Sequence, residues 1–136
     1  MTQDRILAPA VLAALLLPSA AWADAMPLRL DATLDSGPAT LQFEAGEVAS
    51  VTVALGPNAV FLLRINVPVD RRADLELFTT NALNQEIVVT VCGEVLVRPR
   101  MLAPVANGVF DLWNLALGDV VRAVAVLTGA APCGEP

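Results

Sequence analysis

The chain has 136 residues, of which 56% are hydrophobic, and its 14 acidic residues outnumber its 8 basic residues to give a net charge of −6, with no histidine. A net negative charge argues against nucleic acid or an anionic membrane surface as the partner, because both would repel it. The length suits one domain rather than two.

Residues 1–23 have the features of a secretory signal peptide. Their apolar run, residues 6–18, is too short and too interrupted by proline for a comfortable membrane span, and small residues offer cleavage sites after Ala23 or Ala25. An uncleaved membrane anchor is the alternative, because little positive charge precedes the apolar run. Cleavage would leave residues 24–136 as a single periplasmic or secreted domain without a membrane span.

The first half of the exported region predicts four β-strands. Residues 28–34 alternate between apolar and polar side chains, which is the pattern of a strand with one buried face. Turn residues then separate three further apolar segments, at 40–45, 48–55 and 59–67. This order predicts four strands in an antiparallel meander.

The periodicity becomes helical in residues 70–83. Leu75, Phe78 and Ala82 fall on one stripe of a helix. Asp70 stands where a carboxylate would cap the first turn. The sequence therefore predicts a first helix here.

A hairpin is predicted next, because the apolar segments 86–92 and 94–98 flank Gly93. Pro99 ends the second of these strands. Residues 109–113 predict one more strand.

The last element, residues 117–129, has the spacing of a helix that stops at Gly129, although its many valines also allow a strand. The apolar residues at helical spacing are Leu117, Val120, Val121, Val124 and Leu127. Together the elements predict an α+β fold, in which an antiparallel sheet carries two helices on one face within a single compact domain.

Cys92 and Cys133 are the two cysteines of the chain. An oxidising compartment favours a bond between them, which would pin the carboxy-terminal tail to a central strand. A redox pair or metal ligands are the alternatives, but the chain has no CxxC motif, no histidine and no third cysteine. We therefore expect a structural disulfide.

The sequence offers no catalytic, metal or cofactor motif. It has no histidine, no GxSxG elbow and no phosphate-binding glycine loop. Asp111 with Asp119, or Asp70 with Asp74, is the remaining candidate for an acid and base pair. A cap, strand or surface role explains each carboxylate more simply, so the prediction is a protein that is not an enzyme and holds no cofactor.

Arg98 and Arg100 flank Pro99 and would place two guanidinium groups on a stiff edge of the hairpin. Such residues protect an edge strand against unwanted pairing. They also suit a partner that offers carboxylates or backbone carbonyls. Arg71 and Arg72 invite the same two interpretations.

Residues 60–132 follow a recognisable order: a strand, a helix ending at Thr79, the hairpin GEVLVRPRM, a loop, a glycine, a strand and a final helix. This order resembles the head subdomain of the first large periplasmic domain of SecD, the accessory subunit of protein export. In that family the hairpin reads D-G-x-V-x-x-x-P-x-I, and Cys92 takes the place of the aspartate here. The matching residues are Gly93, Val95, Pro99, Met101, Gly108, Gly129 and Pro132.

The resemblance implies a non-catalytic periplasmic module that binds extended polypeptides or docks onto another envelope protein. It implies a contact face at Arg98, Arg100 and Met101 and along the loop to Gly108. SecD carries this head between transmembrane helices, and none is predicted here after the leader, so the chain is not expected to use a proton gradient. The alternative is a small disulfide-stabilised inhibitor or structural protein with one folded target. The oligomeric state is open at this point.

Overall fold

Two antiparallel sheets form the framework of the computed structural model, which describes residues 26–133 and therefore leaves the predicted signal peptide outside. Their strands are β1 (Leu28–Leu34), β2 (Gly37–Phe43), β3 (Ser50–Leu55), β4 (Phe61–Asn66), β5 (Val88–Val91), β6 (Glu94–Val97) and β7 (Val109–Leu115). The first sheet has the strand order β2-β1-β5-β6, and the second has the order β3-β4-β7.

Two α-helices pack against these sheets. Helix α1 (Arg72–Asn81) contacts β2, and helix α2 (Leu117–Leu127) contacts β3 and β4. Short 3₁₀ turns lie at Ala45–Glu47, Pro57–Ala59 and Val69–Arg71. The predicted α+β class, with antiparallel pairing, two helices and a single domain, is confirmed.

The predicted four-strand meander is wrong, because the first four strands form two hairpins in different sheets. β1 pairs with β2 from Leu28 opposite Phe43, and β3 pairs with β4 from Ser50 opposite Asn66. The other edge of β1 pairs with β5, and β2 does not pair with β3. The 3₁₀ turn Ala45–Glu47 carries the chain out of the first sheet, whereas a meander needs a tight reversal at that point.

One hydrophobic core joins both sheets and both helices. β1, β4 and β5 alternate, so that every second side chain points into it, as the strand period requires. The predicted stripe of α1 is confirmed by burial. The core residues that define these faces are Leu28, Leu30, Leu63, Ile65, Leu75, Phe78, Ala82, Val89 and Val91.

The first turn of α1 differs from its prediction. Asp70 lies inside the 3₁₀ turn Val69–Arg71, and no side chain caps the helix, whose N-cap residue is Arg71. A capping side chain needs an extended backbone at its own position. The 3₁₀ turn removes that geometry from Asp70, and the Arg71 N–H instead donates to the Pro68 carbonyl at 2.9 Å.

The final element is a helix, as its spacing predicts, but its buried stripe is rotated. Val120 and Leu127 are buried, whereas Leu117 and Val121 are each 59% exposed. Gly129 follows the helix with φ of +82°, so it ends α2 in the left-handed conformation that glycine adopts readily.

The predicted disulfide between Cys92 and Cys133 is confirmed, and its Cα atoms are 5.3 Å apart. It ties the tail that follows α2 to the turn between β5 and β6. Cys92 and Gly93 form that two-residue turn, with φ of +53° and +83°. Positive φ at both positions is the signature of the type I′ turn, which matches the twist of a hairpin.

Removal of the disulfide tests its structural role. We expect Cys133→Ala to lower the free energy of unfolding by about 4 kcal/mol, because the bond closes a loop with a sequence separation of 41. Denaturant unfolding with and without a reducing agent measures the change. The reducing agent should destabilise the wild type to the level of the variant and leave the variant unchanged. Two free thiols in the non-reduced wild type, with equal stability of the two proteins, would contradict the assignment.

Candidate polypeptide-binding surface

The segment 98–101, which the sequence predicts as an exposed edge, continues the pairing of the hairpin beyond β6. The Met101 N–H donates to the Gln85 carbonyl at 2.9 Å, and the Pro99 carbonyl accepts from the Ile87 N–H at 2.8 Å. The proline ends β6 as predicted, yet the chain stays against the segment before β5.

The three predicted contact residues in this segment occupy different environments. Met101 is 8% exposed and belongs to the hydrophobic core, so its side chain is not available to a partner. The Arg100 guanidinium donates to the Asn84 carbonyl of its own domain. Arg98 is exposed and lines a groove of about 450 Å³ that Asp31 and Glu86 also line. Only the two arginines therefore remain candidates for contact with a partner.

Gly108, predicted as a structural residue, is buried immediately before β7. Its φ is +77°, and a Cβ there would lie 2.8 Å from the side chain of Arg72. Its carbonyl accepts from the Val67 N–H at 2.9 Å, which joins the loop to the end of β4. Gly93, Pro99 and Gly108 thus have structural positions, as does Gly129 at the end of α2.

A groove with a volume of about 250 Å³ lies between β2 and α1, and the sequence analysis did not predict it. We call it the apolar groove. Its apolar lining is Leu34, Ala39, Leu41, Leu77 and Phe78, and its polar lining is Thr40, Asp74 and Asn81. An apolar concavity with a few polar groups is the usual form of a binding site.

The groove exists because β2 is an edge strand that α1 covers only in part. Ala39 and Leu41 alternate onto the face of β2 that carries the core, but both remain half-buried. On the helix, Phe78 is buried, whereas the adjacent Leu77 is 63% exposed. Leu77 thus extends the apolar lining of the groove to the surface, where a partner could contact it.

Arg71 fixes the position of α1 beside β2. Its guanidinium donates to Glu47 Oε2 at 2.6 Å and to Asp74 Oδ2 at 3.0 Å. It also donates to the Gln42 carbonyl at 3.0 Å and lies 4.3 Å from the centre of the Phe43 ring. One side chain therefore joins the end of β2, the following 3₁₀ turn and the first turn of α1.

The hydrogen bonds of this network stabilise the charged forms of Glu47 and Arg71. The backbone N–H of Glu44 and the guanidinium of Arg71 both donate to Glu47 and lower the pKa of its carboxyl group. Burial opposes the charge of Arg71, but its hydrogen bonds to Glu47 and Asp74 outweigh burial and raise the pKa of Arg71. Both partners are therefore charged at neutral pH.

Three of the four carboxylates considered for catalysis lie next to arginines. Asp111 accepts two hydrogen bonds from Arg64, at 2.8 and 2.9 Å, which raise the pKa of that arginine. Asp119 lies 4.0 Å from Arg122, and Asp74 binds Arg71. Within residues 26–133, no group of three or more acidic, histidine or cysteine side chains is arranged to hold a metal ion.

Comparison with solved structures finds a fold similar to SecDF. One match, "Structure and function of a membrane component SecDF that enhances protein export", has a TM-score of 0.56 at 11% identity and covers 71% of this chain and 44% of that one. Another, "Crystal structure of SecDF in Super-membrane-facing form", has a TM-score of 0.54 at 12% identity and covers 65% of this chain and 12% of that one.

At this identity the similarity shows a SecDF-like fold, and the chain spans less than half the length of either matched structure. No family model and no curated protein matches the sequence. Among residues 26–133, no helix is long and apolar enough to cross a membrane.

The Arg71 network predicts a specific loss of stability in acid. Because the pKa of Glu47 is lowered by folding, its contribution is complete above the ordinary glutamate value of 4.5 and is lost as the pH falls through the lower, folded value. Glu47→Gln should therefore be less stable than the wild type at pH 7, and the difference should shrink below about pH 4.5.

Thermal unfolding of the wild type, Glu47→Gln and the control Glu76→Gln across this pH range measures the effect. Glu76 is an exposed carboxylate on α1, so its replacement should leave the pH profile of the wild type nearly unchanged. Parallel profiles for the wild type and Glu47→Gln would show that the network does not couple to folding.

Proposed function

We propose that this chain is a non-catalytic periplasmic module that binds extended segments of other polypeptides in the apolar groove. The observation that carries the proposal is the exposed Leu77 above a concave apolar surface at the open edge of β2. The SecDF-like fold supports it, because the matched SecDF is a membrane component that enhances protein export.

Residues 60–132 form, in this proposal, the counterpart of the SecD head subdomain. The hairpin around Gly93 and the final helix support that assignment, since both occur where the family pattern expects them. The Cys92–Cys133 disulfide supports an oxidising location, periplasmic or secreted, after removal of the leader at Ala23 or Ala25. Engagement of Asp74, Asp111 and Asp119 in ion pairs supports a role without catalysis.

The size of the groove indicates what it binds. A volume of about 250 Å³ is smaller than a typical pocket for a whole small molecule and suits one or two apolar side chains. The outer edge of β2 offers the backbone groups of Thr40 to an extended chain, because Pro38 has no N–H donor and the Gln42 carbonyl already accepts from Arg71. A peptide along β2 would therefore pair at Thr40 and place alternate side chains between Leu41 and Leu77.

Arg98 has a supporting role in the proposal. Ala39 lines both the apolar groove and the groove that contains Arg98, so the two surfaces meet at β2. Asp31 and Pro38 also line the groove of Arg98, which therefore lies on the solvent face of the first sheet. A bound segment that continues past β2 onto that face would place a carboxylate near the guanidinium of Arg98. Arg100 adds positive charge in the same hairpin while it remains bound to the Asn84 carbonyl.

A direct binding assay tests the proposal. The exported protein is titrated with a fluorescent polypeptide that is held unfolded by reduction and alkylation of its cysteines. We expect Leu77→Ser to weaken binding by about tenfold or more, because the variant removes an apolar anchor. Leu102→Ser is the matched control, since Leu102 is a similarly exposed leucine outside the groove and its replacement should leave affinity unchanged.

Three outcomes would contradict a binding role for the apolar groove. The first is that the wild type does not bind unfolded polypeptides, and the second is that the two variants weaken binding equally. The third is that the protein binds one folded partner tightly and does not bind unfolded chains. The last result would favour a secreted inhibitor with a single target, because an inhibitor and a chaperone-like module differ in their range of partners.

A further inference from the structure

β3 is an edge strand without the protection that the other strand edges carry. Edge strands normally avoid unwanted pairing through proline, charge or an irregular register. Pro38 lies in β2, and Pro99 follows β6 closely. β7 contains Asp111, and its pairing with β4 shifts register. β3 has none of these features.

β3 is also regular and uncharged. It pairs with β4 in unbroken register from Ser50 to Leu55. The whole sequence between Glu47 and Arg64 contains no charged residue. Val53 is 40% exposed and Leu55 is 70% exposed, although both lie on the face of β3 that carries the core. An edge of this kind is prepared for pairing with another strand.

One hydrogen bond identifies which backbone groups of β3 point away from β4. The Gly56 N–H donates to the Val60 carbonyl at 2.7 Å, which continues the β3–β4 ladder by one pair. Hydrogen-bonded and non-hydrogen-bonded pairs alternate in antiparallel strands, so Thr52 and Ala54 direct their backbone groups to β4. The backbone groups of Val51, Val53 and Leu55 consequently face the open edge.

An exposed apolar flank of α2 lies beside this edge. Leu117 and Val121, one helical turn apart, are both exposed. Arg122 lies on the opposite flank of the buried stripe and forms an ion pair with Glu94 at the start of β6. Since that flank faces the first sheet and α2 packs over β3 and β4, the flank of Leu117 and Val121 faces the β3 side.

We propose that this edge binds a second copy of the chain, with the two β3 strands antiparallel about a two-fold axis at Val53. The outward backbone groups of Val51, Val53 and Leu55 then form the new hydrogen bonds. Val53 lies opposite Val53 of the partner subunit, and Val51 lies opposite the partner subunit's Leu55. The two three-stranded sheets become one continuous sheet of six strands.

A second copy suits this edge because a two-fold axis places each side chain of β3 opposite the same residue, or a near neighbour of it, in the other copy. Any charge close to Val53 would meet its own copy, and β3 contains none. The same pairing brings together the apolar flanks of Leu117 and Val121 from both copies. The contact is small compared with standard interfaces, so we expect dissociation constants in the micromolar range or weaker.

Analytical ultracentrifugation of the exported protein over about 1 µM to 1 mM tests self-association directly. The wild type should change from monomer to dimer across this range. Val53→Lys should raise the dissociation constant at least tenfold, because two like charges would meet at the axis. Val53→Pro should do the same, because it removes an outward N–H and leaves the pairing with β4 intact. Thr33→Lys, on an exposed position of β1, is the control and should dimerise as the wild type does.

Amide hydrogen exchange gives an independent measure of the register. With rising protein concentration, exchange at Val51, Val53 and Leu55 should slow, whereas exchange at Thr52 and Ala54 should already be slow in the monomer.

A monomer at every concentration would overturn the proposal. So would a dimer that persists in both Val53 variants while circular dichroism shows them folded, or slower exchange at β3 only after another polypeptide is added. Leu77→Ser leaves β3 untouched, so failure of the dimer and failure of the apolar groove are separate results.

Discussion

The multiple contacts of Arg71 determine where α1 lies, and the candidate binding surface depends on that position. Its guanidinium joins Gln42, Glu47 and Asp74 while it stacks on Phe43, so the first turn of α1 is fixed to the end of β2. The helix then crosses the edge strand without covering it fully. Arg71 is partly buried and binds two carboxylates and a carbonyl. It thus fixes the first turn of α1 and leaves the apolar groove open beside the helix.

The two sheets have different open edges, and the two proposals assign them different tasks. The edge of β2 adjoins the apolar groove and would hold an extended polypeptide, whereas the edge of β3 would hold a second copy of the chain. Because the edges belong to different sheets, a dimer through β3 leaves both grooves free. Two weak grooves on one dimer would hold a long unfolded chain more strongly than a single groove, through the higher effective concentration of the second site.

Local patterns in the sequence predict the elements that depend on neighbouring residues. Alternation predicts β1, helical spacing predicts α1 and α2, and Gly93 predicts the hairpin turn. The presence of two cysteines, together with the prediction of an exported chain, predicts the disulfide. The strand, the helices and the turn depend on neighbouring residues, and the disulfide has only one possible pair of cysteines, so residue type and spacing carry enough information.

Features that depend on which elements meet in space cannot be predicted in the same way. Alternation shows that a strand exists but not which strand it pairs with, so a meander is predicted where two sheets form. Met101 follows a proline, yet pairing with Gln85 draws it into the core. One signal for the groove is present in the sequence, since Leu77 is a large apolar residue outside the stripe of Leu75 and Phe78.

Photo-crosslinking in cells, with the probe at position 77 and a control probe at position 128, tests the central claim most directly. Both positions are exposed, but Leu77 lines the apolar groove, whereas Thr128 lies at the end of α2, outside this groove and the groove of Arg98. We expect the probe at 77 to capture many exported polypeptides and the probe at 128 to capture few. Equal capture at the two positions, or no capture of exported polypeptides at 77, would contradict a polypeptide-binding role for the groove.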